Sequence, residues 1–346
     1  MAKILITGGC GYIGSHTAIE ILQEGRYGIV SIDNFSNSST TVLDRIQSIT
    51  WQEMKNYAID LCHLEATRQV FIENPDIVGV IHFAASKSVG ESVEKPLDYY
   101  HNNFTSLINI LRSCEEFGVQ NVIFSSSCSV YGNIDTLPVT EETPLADRVE
   151  SPYANTKRVG EQIMSDFLST SNEMSGIALR YFNPVGSHVS GLNGELPINR
   201  PSNLVPVITQ VAAGILPKLT VFGSDYDTRD GSCIRDYIHV TDIANAHIKA
   251  MDYLLKQKNN ASYEFYNLGS GDGVTVLEAI EAFERNTGVK LNYEIGPRRP
   301  GDVGAIYSDS SKALERFGWE TQFGIDEMMT SAWKWQETLN AERLSV

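Results

Sequence analysis

The 346-residue sequence predicts a doubly wound α/β fold: a parallel sheet covered by helices on both faces, followed by a smaller α/β lobe. Three observations predict it. Strand-length apolar runs alternate with helical patterns through the first half of the chain, and a glycine-rich turn follows the first run directly. The alternation then stops near Tyr181/Phe182, where the texture changes.

Lys3–Thr7 reads as a strand, Gly11 to about Gln23 as a helix, Gly28–Ile32 as a second strand and Asn56–Ile59 as a third. A helical stretch near Glu65–Glu73 precedes the strand Val78–Phe83, and a long helix over Leu97–Phe117 precedes the strand Asn121–Ser125. A second long helix runs from Ser151-Pro152 to about Ser169, and the strand Gly176–Tyr181 closes the series. Alternation of this kind demands parallel strands, because each helical crossover returns the chain to the same end of the sheet. Asn183–Asn203 is rich in Gly, Pro, Asn and Ser without a period and reads as a loop. Near the C-terminus, Ile325, Met328, Met329, Ala332 and Trp333 recur at helical spacing, a stripe for core packing. A chain this long exceeds the ~250–300 residues that one core organises. Two lobes are therefore expected, 1–181 and 182–346, with the stretch near 239–256 able to pack back on the first.

The net charge of −16 argues against nucleic acid or an anionic membrane as partner, since both select clustered positive charge. A small anionic ligand remains compatible if a few arginines converge, and Arg235, Arg298 and Arg299 are available. No apolar run approaches the ~20 residues of a membrane span. The N-terminus enters a strand without a signal-peptide pattern, which leads us to expect a cytoplasmic protein. Five widely spaced cysteines show no Cys-x-x-Cys pair, so reduced thiols are expected, and no metal. His82, inside an apolar run, reads as a core histidine.

Gly8, Gly11 and Gly14 lie in Thr7-Gly-Gly-Cys-Gly-Tyr12-Ile13-Gly14, between the first strand and the first helix. Glycines there allow a tight turn, close approach of the backbone to a pyrophosphate, and close helix–strand packing. Asp33 ends the second strand, about 20 residues on, where a carboxylate accepts from the ribose hydroxyls of a dinucleotide. It would repel a 2′-phosphate, which favours NAD over NADP. These features make the predicted fold Rossmann-type. Asp60-Leu61, at the end of the third strand, is expected beside the adenine.

Tyr153 and Lys157 are four residues apart in the helix opened by Ser151 and Pro152, and so share one face. They follow a strand ending in Ser125-Ser126-Ser127 at the ligand-binding edge. A free tyrosine titrates near ~10, so using it as a base at neutral pH requires about 4 kcal/mol of extra phenolate stabilisation. A nearby ammonium and a cationic nicotinamide ring can supply it. Ser127 can hydrogen-bond a sugar hydroxyl and relay its proton towards Tyr153.

Gly8–Gly14, Asp33-Asn34, Asp60, His82-Phe-Ala-Ala-Ser-Lys87, Ser125–Gly132, Tyr153/Lys157 and Arg180–Gly186 together resemble the extended short-chain dehydrogenase/reductase family. Val89–Val93, Arg235–Val240, Tyr266–Gly269 and Arg298–Asp302 resemble, more narrowly, the UDP-galactose 4-epimerase family. The resemblance implies that Ser127, Tyr153 and Lys157 are catalytic. It implies NAD contacts from Phe83, Ala84, Ala85, Lys87, Asn102, Ser125 and Tyr181, and UDP-sugar contacts from Asn183, Asn203, Leu204, Phe222, Arg235, Arg299 and Asp302. It places Ile306 against the sugar C2 substituent, where some relatives carry tyrosine. That implies UDP-glucose/UDP-galactose as the main pair, with weaker activity on UDP-N-acetylhexosamines. It also implies a homodimer paired through the long helices. A nucleotide-sugar 4,6-dehydratase and a non-catalytic NAD(H)-binding regulator are the alternatives. The first needs carboxylates just after Ser127, where Cys128-Ser129 stand; the second has no need of serine, tyrosine and lysine together.

Overall fold

The computed structural model describes residues 1–134, 136–197, 201, 203–299 and 302–344. The chain runs β1 (Lys3–Thr7), α1 (Tyr12–Glu24), β2 (Gly28–Ile32), α2 (Thr41–Thr50), β3 (Lys55–Tyr57), α3 (Leu64–Glu73) and β4 (Ile77–His82). It continues through α4 (Val89–Glu94), α5 (Pro96–Phe117), β5 (Asn121–Ser127), a single 3-10 turn at Cys128–Tyr131, α6 (Pro152–Thr170) and β6 (Ser175–Tyr181). The remainder is β7 (Asn183–Val185), α7 (Leu204–Ala212), β8 (Leu219–Phe222), β9 (Ile234–His239), α8 (Val240–Leu255), β10 (Tyr263–Leu268), β11 (Gly273–Thr275), α9 (Val276–Thr287), β12 (Tyr293–Gly296), β13 (Ala305–Ile306), α10 (Ser311–Phe317) and α11 (Ile325–Leu344).

Seven strands form one sheet in the order β10-β6-β5-β4-β1-β2-β3, and every pairing in it is parallel. Strands β1, β4 and β6 are buried almost throughout, as expected where helices cover both faces, while the edge strand β3 is not. One face carries α1, α2 and α8 over a core including Ile6, Ile81, Ile123 and Ile177; the other carries α3, α5 and α6 over Leu5, Val80, Val122 and Phe124. The order reverses between β1 and β4, and such a switch point leaves a crevice at the strands' C-terminal ends.

The expected alternation is present, with a short unexpected helix, α4, ahead of α5 and three further differences. Thr41–Thr50 is a helix where no element was expected, although Val42, Leu43, Ile46 and Ile49 recur at helical spacing and pack on the core of the sheet. Asn183–Val185, expected as loop, pairs with β9; part of that loop, 198–200 and 202, lies outside the described residues. The third difference concerns the lobes. A single cut at 181/182 does not divide them, because β10 completes the large sheet beside β6 and α8 packs on α1, β4, β5 and β6. Only the return of the 239–256 stretch was legible. The smaller lobe keeps the sheet of β7, β9, β11 and β13, the pair β8–β12, and a core of α7, α9 and α11 side chains such as Ile208, Phe283 and Met329.

Candidate active site

One cavity of about 810 Å³ opens between the lobes at the switch point, within the range of small-molecule sites. At its first end, Gly8 has φ +73, and a Cβ there would stand 2.9 Å from the Ala84 nitrogen. A Cβ on Gly14 would meet the Gly8 carbonyl oxygen at 2.2 Å. Both glycines are thus required by backbone approach, which lets α1 open at the cavity. Its N-cap, Gly11, provides no side-chain cap. Asp33 Oδ2 accepts from the Cys10 N–H at 3.0 Å, while Oδ1 accepts from the Phe35 N–H at 2.9 Å and the Ser38 hydroxyl at 2.8 Å. The carboxylate is held in place by the turn it closes. Asn34, Asp60, Leu61, Phe83, Ala84, Ala85, Lys87 and Asn102 line the same end with Tyr12 and Ile13. The Tyr181 hydroxyl is buried at the cavity wall without a protein partner. This end fits a dinucleotide: an uncapped helix terminus for phosphates, a fixed carboxylate for ribose hydroxyls and an apolar wall for rings.

At the centre, Ser151 Oγ accepts from the Ala154 N–H at 3.2 Å and Pro152 occupies the first turn, so α6 starts as the sequence predicts. This brings Tyr153 and Lys157 against the end of β5. Lys157 Nζ donates to the Ser125 carbonyl at 2.6 Å and sits 5.9 Å from the centre of the Tyr153 ring. Burial pushes the Tyr153 phenol up, and the Cys128 sulfur adds to this, while the neighbouring Ser127 hydroxyl offsets part of it. Burial pushes the Lys157 amine down to about 7, and the Glu161 carboxylate opposes that shift. The protein frame alone therefore favours a neutral phenol. A further positive charge in the cavity is what would tip the pair towards phenolate and ammonium.

At the far end, Arg235 and Arg299 flank Asp302, at 3.5 Å and 3.9 Å. Arg299 also lies over the Phe222 ring, 4.5 Å from its centre. Arg298 turns away to Asp225 and the Tyr226 ring. Of the three candidate arginines, two reach the cavity. Pro300 and Gly301, the expected turn between them and Asp302, lie outside the described residues. Asn183, Asn203 and Leu204 complete the lining at this end.

Ile306 is the one proposed site residue that does not line the cavity. It pairs in register with Arg235 and packs, half-buried, against the cluster of Val130, Tyr131, Val139 and Phe182, of which Phe182 lines the cavity. Sequence reasoning missed Ser36, Ser38, Ser129, Glu195, Lys218 and Tyr237, which also line the cavity. Only Ser129 had a usable signal, its place beside Ser127. Glu195 pairs with Lys87 across the cleft at 3.4 Å, a contact that only the meeting of the lobes creates. His82 is a core histidine as expected, its Nδ1 2.7 Å from the Thr7 hydroxyl. All five cysteines are free. Among the described residues no cluster of three metal-ligating side chains occurs, and no helix is long and apolar enough to cross a membrane.

A dinucleotide cradle, a Ser-Tyr-Lys centre and an arginine-lined far end on one sheet edge define the short-chain dehydrogenase/reductase class that works on nucleotide-linked substrates. A family model described as GDP-mannose 4,6 dehydratase matches residues 5–332. UDP-glucose 4-epimerase of Bacillus subtilis (strain 168) is 48% identical over 335 residues, 97% of each chain. The crystal structure of UDP-glucose-4-epimerase from Stenotrophomonas maltophila, with bound NAD and formylated UDP-arabinopyranose, superposes with a TM-score of 0.95 at 43% identity, covering 99% of this chain and 100% of that one. That of UDP-glucose 4-epimerase from Bifidobacterium longum, in complex with NAD+ and UDP, gives 0.91 at 44% identity, covering 97% and 98%. The chain belongs to the UDP-glucose 4-epimerases, within the wider family that the matching model describes.

Proposed function

We propose that this protein interconverts UDP-galactose and UDP-glucose through transient oxidation at the sugar C4, with NAD as resident cofactor. The observation that carries this reading is convergence. Ser127, Tyr153 and Lys157 stand between the dinucleotide end and the Arg235/Arg299 end of one cavity. NAD, when bound, supplies the hydride acceptor and donor and a positive ring charge. The chain's own residues do the rest. Tyr153 takes the proton of the sugar 4-hydroxyl and later returns it. Lys157, anchored on the Ser125 carbonyl, holds positive charge beside the phenol. Arg235 and Arg299 grip the diphosphate by charge-assisted bonds, so that the ketone turns over without leaving.

The dehydratase reading requires a carboxylate acid and base beside Ser127, and the wall there is Cys128 and Ser129. The test is incubation of the purified protein with UDP-galactose and no added NAD, followed by NMR of the anomeric protons. Growth of UDP-glucose signals is expected; a 4-keto-6-deoxy sugar would favour the dehydratase, and no change would favour a non-catalytic binder. The anchored Asp33 carboxylate leads to a second expectation, that heat-denatured protein releases NAD(H). NADP(H) in that supernatant would refute the role given to Asp33.

The protein is further proposed to act in the cytoplasm, where its five free cysteines stay reduced. It is also proposed to form a homodimer. Val89, Val93 and Leu97 are exposed on α4 and α5, an apolar surface that a second copy would cover.

A further inference from the structure

Ser127 ends β5, and its side chain caps the 3-10 turn that follows. Its Oγ accepts from the Ser129 N–H at 3.2 Å and from the Ser129 hydroxyl at 3.0 Å. A serine hydroxyl has two lone pairs and one proton. Both lone pairs are thus taken by one neighbour, and the remaining proton is directed away from the turn, where Tyr153 and the cavity lie. The turn itself is rigid: Val130 and Tyr131 are fully buried, and the Tyr131 hydroxyl donates to Asn267 Oδ1 at 2.7 Å.

We propose that Ser129 is a positioning residue for the epimerisation: by donating twice to Ser127 Oγ it makes Ser127 a proton donor only. Ser127 then gives its single proton to Tyr153 Oη, which orients that oxygen and stabilises the phenolate. It does not relay, since it keeps no lone pair to receive a proton. The proton on the sugar 4-hydroxyl oxygen passes directly to Tyr153 Oη and returns the same way, leaving Ser127 unchanged. Ser129 occupies the position at which the dehydratase alternative requires a carboxylate, and so gives that position a different task. This inference rests on the proposed epimerase activity.

The test uses full-length protein with UDP-galactose, comparing Ser129→Ala, Ser129→Thr, Ser127→Ala, Tyr153→Phe and the double variant Ser127→Ala/Ser129→Ala. Removal of one oriented hydrogen bond should lower kcat in Ser129→Ala by about 3- to 10-fold with KM unchanged. Ser129→Thr, which keeps both donors, should restore kcat to within about twofold. In the Ser127→Ala background, loss of the Ser129 hydroxyl should have no further effect, because Ser129 acts only through Ser127. Ser127→Ala should also retain clearly more turnover than Tyr153→Phe. Wild-type kcat in Ser129→Ala, an equal further loss in the double variant, or equal rates for Ser127→Ala and Tyr153→Phe would each overturn the proposal. Absence of turnover in the wild-type protein would instead overturn the functional reading beneath it.

Discussion

Tyr153 is fixed by the first turn of α6 at the cavity wall, beside Ser127, and is the proton acceptor of the proposed mechanism. Tyr153→Phe should lower kcat by about 10²- to 10⁴-fold, the usual worth of a general base, while UDP binding measured by calorimetry stays intact. A variant turning over at the wild-type rate would remove the phenol from the mechanism. Ile306 teaches the opposite lesson. Family likeness places it at the sugar, while in the structure its half-buried side chain packs against the cluster of Val130, Tyr131, Val139 and Phe182. Ile306→Tyr should therefore overpack that cluster and cost about 1–3 kcal/mol in denaturant unfolding. The rate ratio between UDP-glucose and UDP-N-acetylglucosamine should hold within about twofold. A selective loss of the N-acetyl substrate, with unfolding free energy unchanged, would show that Ile306 meets the sugar after all.

At the scale of elements, a buried ion pair ties α6, which carries Tyr153 and Lys157, to β6, the neighbour of β5. Arg180 on β6 lies opposite Ser126 on β5 in the sheet register. Its Nε and Nη2 donate to the two oxygens of Glu161 on α6 at 2.9 Å and 2.5 Å. Ser126 donates to the same carboxylate, and Arg180 Nη1 donates to the Tyr131 hydroxyl at 2.8 Å. Both charged side chains are almost entirely buried, at 3% and 5% exposure, so neither can turn to water if its partner is removed. Arg180→Met should cost about 3–5 kcal/mol in urea unfolding by stranding the carboxylate. Glu161→Leu/Arg180→Met should recover most of that loss. A single variant less than about 1 kcal/mol below wild type would mean that the pair does not lock these elements. Asp236 plays a related part in the smaller lobe. Its carboxylate accepts from the Ser270 and Ser308 backbone N–H groups and hydroxyls at 2.7–2.9 Å, tying two loops to β9 just beside Arg235.

For the whole molecule, the lobes meet through α1. Tyr12 donates to the Gly186 carbonyl at 2.6 Å, and Asn193 donates to the Ser15 hydroxyl at 2.9 Å. His16 lies in this seam, and burial pushes it down to about 3, with His188 and His239 nearby adding to the shift. Burial likewise lowers His82 to about 3 and both His239 and His247 to about 4. Each is depressed from the ordinary histidine value near ~6.5, so the unfolded chain binds these protons first as pH falls. Their contribution to stability is complete above about pH 6.5 and is lost as pH falls towards 4 and 3. Two buried carboxyls oppose this: burial raises Glu20 to about 7 and Asp242 to about 6, so the folded state binds those protons first. Four lowered histidines outweigh two raised carboxyls. The melting temperature should therefore fall from pH 6.5 to 4.5 and more steeply below, where the carboxyls no longer compensate. A melting temperature flat or rising down to pH 4, by calorimetry, would contradict the buried neutral histidines.

Local chemistry written along the chain determined much of this protein. Ser151 and Pro152 start α6, placing Tyr153 and Lys157 on one face. Gly8 and Gly14 permit a turn that a Cβ would block, and Asp33 closes it. Apolar runs of strand length alternating with helices settle a parallel sheet and so the edge at which a ligand binds. Each of these features acts within a few residues or through one periodicity, which is why it is legible. Only the tertiary structure decided that β10 returns to the large sheet, that Arg299 and not Arg298 enters the cavity, and that Ile306 packs against the cluster of Val130, Tyr131, Val139 and Phe182. It alone brought Glu161 to Arg180 and Lys87 to Glu195. These outcomes depend on which distant segments compete for the same space and the same charge, and that competition is resolved only when the lobes pack.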